Sequence, residues 1–291
     1  MSSILTNNSA MVALQTLKSV NANLAKTTDM ISTGKAVATA KDNSAIFAIS
    51  KVMESDVSGF KAVSSALSLG ESTTAVASAG AEQITNLLNE MKEKVVAATG
   101  DNVDHTKITA DVDSLKEQIG SIIRGSQFNG TNLLDAAGTD LEVLASIDRD
   151  AANDVFTSTI TVASQDLETG LLGGATAATA NSPILAANIL ADVDVSSAAA
   201  ATTSVAALEA HIQTAVDAAA DLGSSAKRIS DQGSFVGKVT DAITSGIGAL
   251  VDTDMEAASA RLQALQVQQQ LATQSLSIAN QAPQSVLSLF R

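Results

Sequence analysis

The chain has 291 residues, enough for one large domain or two to three small ones at ~100–200 residues each. Its 45% hydrophobic content comes mainly from Ala, Val, Leu and Ile, with 2% aromatics and neither Trp nor Tyr, a palette for close helix packing that lacks the large rigid anchors of small-molecule pockets. A net charge of −14, with the acidic excess read as spread along the chain, and no Cys argue against nucleic acid as a partner and exclude disulfides, thiolate nucleophiles and Cys-based zinc sites.

The first residues carry no basic region before Lys18 and no apolar block after it, so they do not read as a conventional secretory signal. No apolar run approaches the ~18 residues that span a bilayer. The expectation is a soluble chain without membrane insertion, exported, if at all, by a route that leaves this terminus uncut.

Residues 10–31 form the first predicted helix. Ala10, Leu14, Leu17, Leu24 and Ile31 recur at alternating three- and four-residue steps, with Asn21 and Thr28 as polar members of the same seam; this is coiled-coil spacing. Gly34 is placed to end the helix in a left-handed conformation, and Asp42, Asn43 and Ser44 read as the cap of the next. That next helix runs from residue 45 to about 99, interrupted only by Gly59, Gly70 and Gly80. Another follows over 106–124, presenting Ile108, Val112, Leu115, Ile119 and Ile122 at helical steps. Asn129 and Gly130 then give the strongest turn signal in the chain.

Residues 141–147 and 156–163 are rich in Val, Ile, Thr and Phe around a polar connection, which predicts a β-hairpin. The Gly/Ala/Thr-rich stretch 165–197, which includes Pro183, reads as a weakly specified surface insertion. Helix resumes over 203–244 with a pause at Gly223, and Gly246 and Gly248 mark a joint. The last helix has the cleanest pattern: Met255, Ala258, Leu262, Leu265, Gln269, Ala272, Leu276 and Ala279 keep the three-four alternation, Pro283 is expected to end it, and a short apolar tag includes Leu289 and Phe290.

An apolar seam on a lone helix must be covered. The two terminal seams can pair within one chain as a helical bundle or be completed by neighbouring subunits, and the pattern alone leaves both open. Asn21 and Gln269 read as register-setting members. His105 and His211 lack a second ligand at metal spacing and read as structural or surface residues. Asp101, Asp104 and His105 read as a helix connection, and Asp252, Asp254 and Glu256 as a helix-opening acidic run. No phosphate loop or hydrolase motif occurs, so no catalytic residue, cofactor or metal is assigned.

At its ends the chain resembles bacterial flagellin. The resemblance is carried by ILTNNSAMVAL (4–14), ISTGK (31–35), AKDNSAIFAIS (40–50), QFNGTNLL (127–134), LVDTDME (250–256), RLQALQVQQQL (261–271) and SIANQAPQSVLSLFR (277–291). It covers about residues 1–135 and 245–291. One departure is MISTGK (30–35), where many members have an arginine, leucine, serine, serine, glycine run.

The resemblance implies a mainly α fold of long antiparallel helices from both chain ends in a coiled-coil-like rod, with a β-hairpin and a short variable insertion. Residues 1–34 and 247–291 would be a terminal polymerisation domain, 35–165 and 198–246 a rod domain, and 166–197 the insertion. It implies a non-enzymatic subunit of the extracellular flagellar filament used for swimming, self-assembling through its terminal helices, with a minor hook-filament junction component or helical adaptor as the alternative. The expected polymerisation residues are Leu5, Leu14, Leu17, Leu24, Ile31, Leu262, Leu265, Leu276, Leu289 and Phe290. Further implied partners are the flagellar export apparatus, an export chaperone, the filament cap and hook-junction proteins. The family's innate-immune receptor patch aligns with NEMKEKVV (89–96), Lys92 standing near the place of its central arginine, beside Glu93.

Overall fold

The computed structural model describes residues 7–135, 138–149, 154–171 and 190–288. The chain forms two compact units, Met1–Val57 with Asp241–Arg291 and Ser58–Thr240. In chain order the elements are α1 (Asn8–Thr33), α2 (Ser44–Ala97), α3 (His105–Gly125), β1 (Gln127–Phe128), β2 (Thr131–Asn132), β3 (Leu141–Arg149), β4 (Val155–Val162), α4 (Leu167–Gly170), α5 (Ala198–Val251) and α6 (Met255–Ser288). The fold is mainly α, as expected. No helix among the described residues is long and apolar enough to cross a membrane.

The central unit holds the larger core, built from α2, α3, both hairpins and α5. Leu67, Ile84, Leu88 and Met91 of α2 meet Ile119 and Ile123 of α3, Val143 and Val162 of the long hairpin, and Leu208, Leu222 and Ile229 of α5. The α3 seam falls as its spacing predicts, with Val112, Leu115 and Ile119 buried. Its cap is Asp104, whose side chain accepts from the Lys107 amide, while Asn43 caps α2 by accepting from the Ala45 and Ile46 amides at 3.1 and 3.2 Å. Asn129 and Gly130 form the expected turn, with φ of 50° and 84°, between β1 and β2.

The glycines that looked like interruptions of the second helix are seats for the hairpins. A methyl at Gly70 would lie 2.4 Å from Cγ2 of Val143 on β3, one at Gly80 2.3 Å from the Ser126 hydroxyl, and one at Gly59 3.1 Å from Ile147. Helix propensity is given up at these positions so that the strand and turn can approach α2 closely. The β3–β4 register shifts between Leu144 and Ser146. At that bulge the carbonyl of the buried Ala145 accepts from Nε2 of Gln232 on α5 at 2.8 Å, so the bulge is tied to the helix behind it.

The stretch expected to be a surface insertion has its described ends in the core. Leu167, Leu171, Leu190, Val193 and Val195 are buried; residues 172–189 lie outside the described residues. The returning strap, 190–197, alternates apolar and polar side chains, and α3 and α5 hold it by polar contacts. Lys116 Nζ donates to the Val193 carbonyl at 2.8 Å, His105 Nδ1 meets the Val195 carbonyl at 3.0 Å, Ser204 bonds both the amide and the carbonyl of Asp194 at 2.8 Å, and His211 Nε2 meets both Asp192 oxygens at 3.0 Å. Both histidines thus serve the structural role read from their isolation.

Burial lowers the Lys116 pKa, and the nearby Asp113, Asp192 and Asp194 offset only part of that cost. The folded state therefore binds its proton less tightly than the unfolded chain, so the penalty is full below the folded pKa and relieved as pH rises toward the ordinary lysine value. Lys116→Met is expected to remove this contribution. The checking measurement is thermal stability between neutral and alkaline pH, where the variant should gain less than the wild type on raising the pH.

The acidic excess belongs almost entirely to the central unit. Residues 58–240 hold 23 of the 31 acidic and 10 of the 17 basic side chains, a net −13, against 8 acidic and 7 basic, a net −1, in the terminal unit.

Three element ends differ from the expectation: α5 begins at Ala198 and runs through Gly223 without a pause, and the ends of α5 and α6 both lie further on. α5 continues through Gly246 and Gly248 to Val251, with Gly246 leaving room for Met53, whose Cε would be 3.3 Å from an added methyl. α6 passes through Pro283 to Ser288.

Candidate functional site

The terminal unit is organised around α1 and α6, which lie antiparallel: Asn7 meets Ala279 near one end, Asn21 meets Gln269 midway and Gly34 meets Thr253 at the other. Asn7 caps α1, its Oδ1 accepting from the Ala10 amide at 3.0 Å, and Gly34 ends it in the left-handed region at φ 69°, as expected. Asp254 caps α6, accepting from the Glu256 and Ala257 amides at 3.0 and 3.1 Å, so the acidic run is a helix start.

The two connections are stitched by backbone bonds, from the Ala36 amide to the Val251 carbonyl at 2.7 Å and from the Thr253 amide to the Gly34 carbonyl at 3.0 Å, around an antiparallel bridge between Lys35 and Asp252. Glu54 sits between Lys51 at 2.6 Å and Lys35 at 3.6 Å. The hydrogen bond from Lys51 is the main reason its carboxyl lies below the usual range.

On α6 the seam is the one read from the sequence, apart from the exposed Met255: Ala258 and Leu265 are buried and Leu262, Gln269, Ala272, Leu276 and Ala279 half-buried. On α1 half of the expected seam moves by one residue. Ala10, Leu17, Leu24 and Ile31 face the partner helix, but Ala13, Val20 and Thr27 fill the alternate positions assigned to Leu14, Asn21 and Thr28, all three of which are exposed. The three-four rule fits both sets; packing against the α6 seam selects the inner one, and Thr27 is accommodated by donating its hydroxyl to the Asn23 carbonyl at 2.9 Å. Asn21 still reaches across, accepting at Oδ1 from Gln269 Nε2 at 2.8 Å.

Pro283 lacks an N–H, which leaves the Ala279 carbonyl, four residues earlier, without its helical donor. The Asn7 side-chain Nδ2 donates to that carbonyl at 2.7 Å. One side chain therefore caps α1 and repairs α6, which accounts for the helix continuing past the proline. Asn7→Ala is expected to cost about 1 kcal/mol for the lost cap and to fray α6 beyond Ala279. Amide hydrogen exchange on α6 residues C-terminal to Ala279 would report it, and unchanged protection there would contradict it.

Both helices carry apolar side chains away from their shared seam. Met11 and Val12 are each 63% exposed and Leu14 48%, so the start of α1 is apolar on every side, a pattern that belongs to buried helices. On α6, Val267, Leu271 and Ile278 are 55%, 58% and 67% exposed. With Ala264 and Gln274 they form a second three-four stripe nearly opposite the first, readable in the sequence but masked there by the stronger seam. Between the helices lies an open groove of about 380 Å³ lined by Val12, Ala13, Val20, Leu271 and Ala272 among others.

The structure thus buries Leu265, half-buries Leu17, Leu24, Ile31, Leu262 and Leu276, and exposes Leu14. Leu5, Leu289 and Phe290 lie outside the described residues. In the central unit Lys92 is half-buried and ion-paired with Glu209 of α5, and Glu93 is exposed.

The family model of the bacterial flagellin N-terminal helical region matches residues 4–139 and that of the C-terminal helical region residues 205–290. The chain is 39% identical over 292 residues to the flagellin of Brucella melitensis, covering the whole of both chains. It is 38% identical over 294 residues to flagellin FljM of Caulobacter vibrioides, covering 100% of this chain and 99% of that one. Among solved structures, the crystal structure of Bacillus cereus flagellin aligns with a TM-score of 0.45 at 22% identity, covering 58% of this chain and 86% of that chain.

Proposed function

This chain belongs to the bacterial flagellin family, a structural subunit of the extracellular flagellar filament, and on that premise we propose that the α1–α6 pair is the surface through which its copies polymerise. The observation that carries the proposal is the second apolar stripe of α6, with Val267, Leu271 and Ile278 more than half exposed, beside a start of α1 that is apolar all round. One seam holds the two helices together within the chain; the other, where Leu271 borders the groove shared with Val12, is not packed against another element among the described residues and is available to a neighbouring copy. The near-neutral charge of the terminal unit supports the same reading, since it lets these surfaces approach without the repulsion that the central unit carries.

Leu14 joins the outward set, while Leu17, Leu24, Ile31, Leu262, Leu265 and Leu276 act indirectly by holding the pair that presents it. Leu5, Leu289 and Phe290 extend the same interface at the chain ends. The proposed division is 1–34 with 247–291 as the polymerising part, 35–165 with 198–246 as the rod, and 166–197 as the variable insertion, rooted in the rod core by its buried ends at Leu167, Leu171, Leu190, Val193 and Val195. The subunit acts without catalysis, leaves the cell through the flagellar export apparatus with a chaperone's help, and meets the filament cap and hook-junction proteins. At the expected receptor patch, Lys92 is paired with Glu209, an exposed ion pair that competes only weakly with a partner for the basic side chain.

The test is sedimentation after adding short filament seeds to purified protein. Elongation into high-mass polymer is expected. Failure to elongate at every salt concentration would instead favour the junction component or helical adaptor.

A further inference from the structure

The chain contains no Cys, Trp or Tyr, so the six methionine thioethers are its only readily oxidised side chains. Five of the six, Met1, Met11, Met30, Met53 and Met255, lie in the terminal unit. The sixth, Met91, is 0% exposed in the central core. Within the terminal unit Met11 is 63% and Met255 45% exposed, while Met30 and Met53 are half-buried. Met11 stands on the outward face of α1 beside Val12; Met255 opens α6.

We propose that Met11 and Met255 are oxidation sites, for peroxides as the reagent class, and that conversion of Met11 to sulfoxide stops subunit addition. The thioether sulfur attacks one peroxide oxygen and the O–O bond breaks. Sulfur is oxidised by two electrons to the sulfoxide, and the peroxide is reduced to water, the departing hydroxide taking the proton from the transferred oxygen. The product replaces a flexible apolar side chain with a polar, chiral one on a surface that must lose its water when copies meet. The folded monomer keeps its core, because the protected sulfur is the one inside it. This inference rests on the assembly surface proposed above.

The experiment treats the full-length monomer with graded hydrogen peroxide, maps sulfoxides by peptide mass spectrometry and follows seeded elongation. Met11 and Met255 should oxidise first and Met91 last. Elongation should fall by about tenfold or more, the ratio set by ~1.4 kcal/mol lost at each subunit contact, and recover after treatment with the two methionine sulfoxide reductases. After the same dose the Met11→Leu/Met255→Leu double variant should keep the elongation rate it shows untreated, whatever that rate is relative to the wild type. Equal loss of elongation in the double variant, or oxidation of Met91 as early as Met11, would overturn the inference. Unoxidised Leu271→Asp protein separates the two ideas. If it elongates, the assembly reading fails; if it does not, yet oxidised wild type elongates, only the oxidation inference fails.

Discussion

Leu265→Asp is expected to unravel the terminal helix pair in the monomer and to abolish elongation as well. Leu265 is 6% exposed at the centre of the seam that α1 covers, so the substitution removes a leucine contact, ~2–5 kcal/mol, and strips a carboxylate of water in an apolar seam. Had the terminal helices been unpaired before assembly, the monomer would have tolerated the change and only the polymer would have suffered. The pairing within one chain reverses that expectation. Far-UV circular dichroism melting, with hydrogen exchange over residues 10–31 and 255–280, should show loss of protection confined to the terminal unit. Wild-type protection in the monomer would mean that α1 and α6 are not paired there in solution.

Gly70→Val is expected to be the most damaging change in the central unit. Even a methyl at this position would stand 2.4 and 2.8 Å from the two γ-carbons of Val143, a side chain only 3% exposed and fixed by the β3–β4 ladder. Overpacking of this kind costs ~1–3 kcal/mol, and a valine adds two carbons to the collision. Glycine to alanine inside a helix ordinarily gains up to ~1 kcal/mol, and available space decides the sign. At Gly223 and Gly237 of α5 an added methyl meets nothing within 4 Å, so alanine there should raise the melting temperature while valine at Gly70 lowers it. A stabilised Gly70→Val protein would contradict the close seating of the hairpin on α2.

The long helices, the main hairpin and the caps at Asn43 and Asp254 were legible because each rests on local chemistry: spacing, turn residues and side chains that bond nearby amides; Asp104, read only as part of a connection, proved to be the cap of α3. What escaped the sequence was set by partners distant in the chain. Gly59, Gly70 and Gly80 look like weaknesses until the hairpin is placed against them. Pro283 looks like a stop until the Asn7 amide supplies the donor that Ala279 lacks. The strap 190–197 looks featureless because its anchors, Lys116, His105, Ser204 and His211, come from two other helices. On α1 the periodicity allowed two interleaved seams, and only packing against α6 decides that Val20 turns inward and Leu14 outward. The outer stripe of α6 was within reach, since its steps are those of the inner seam shifted around the helix, but one helix was assigned one seam.

The most direct test of the assembly surface is a pair of measurements on Leu271→Asp, monomer melting and seeded elongation. Leu271 is 58% exposed in the monomer, so a carboxylate there stays in water and the melting curve should match the wild type. On addition to a filament the same carboxylate would have to be stripped of water against an apolar neighbour, a cost of several kcal/mol without a partner, and it recurs at every subunit. The account predicts an unchanged monomer that does not elongate. Elongation at the wild-type rate would contradict it.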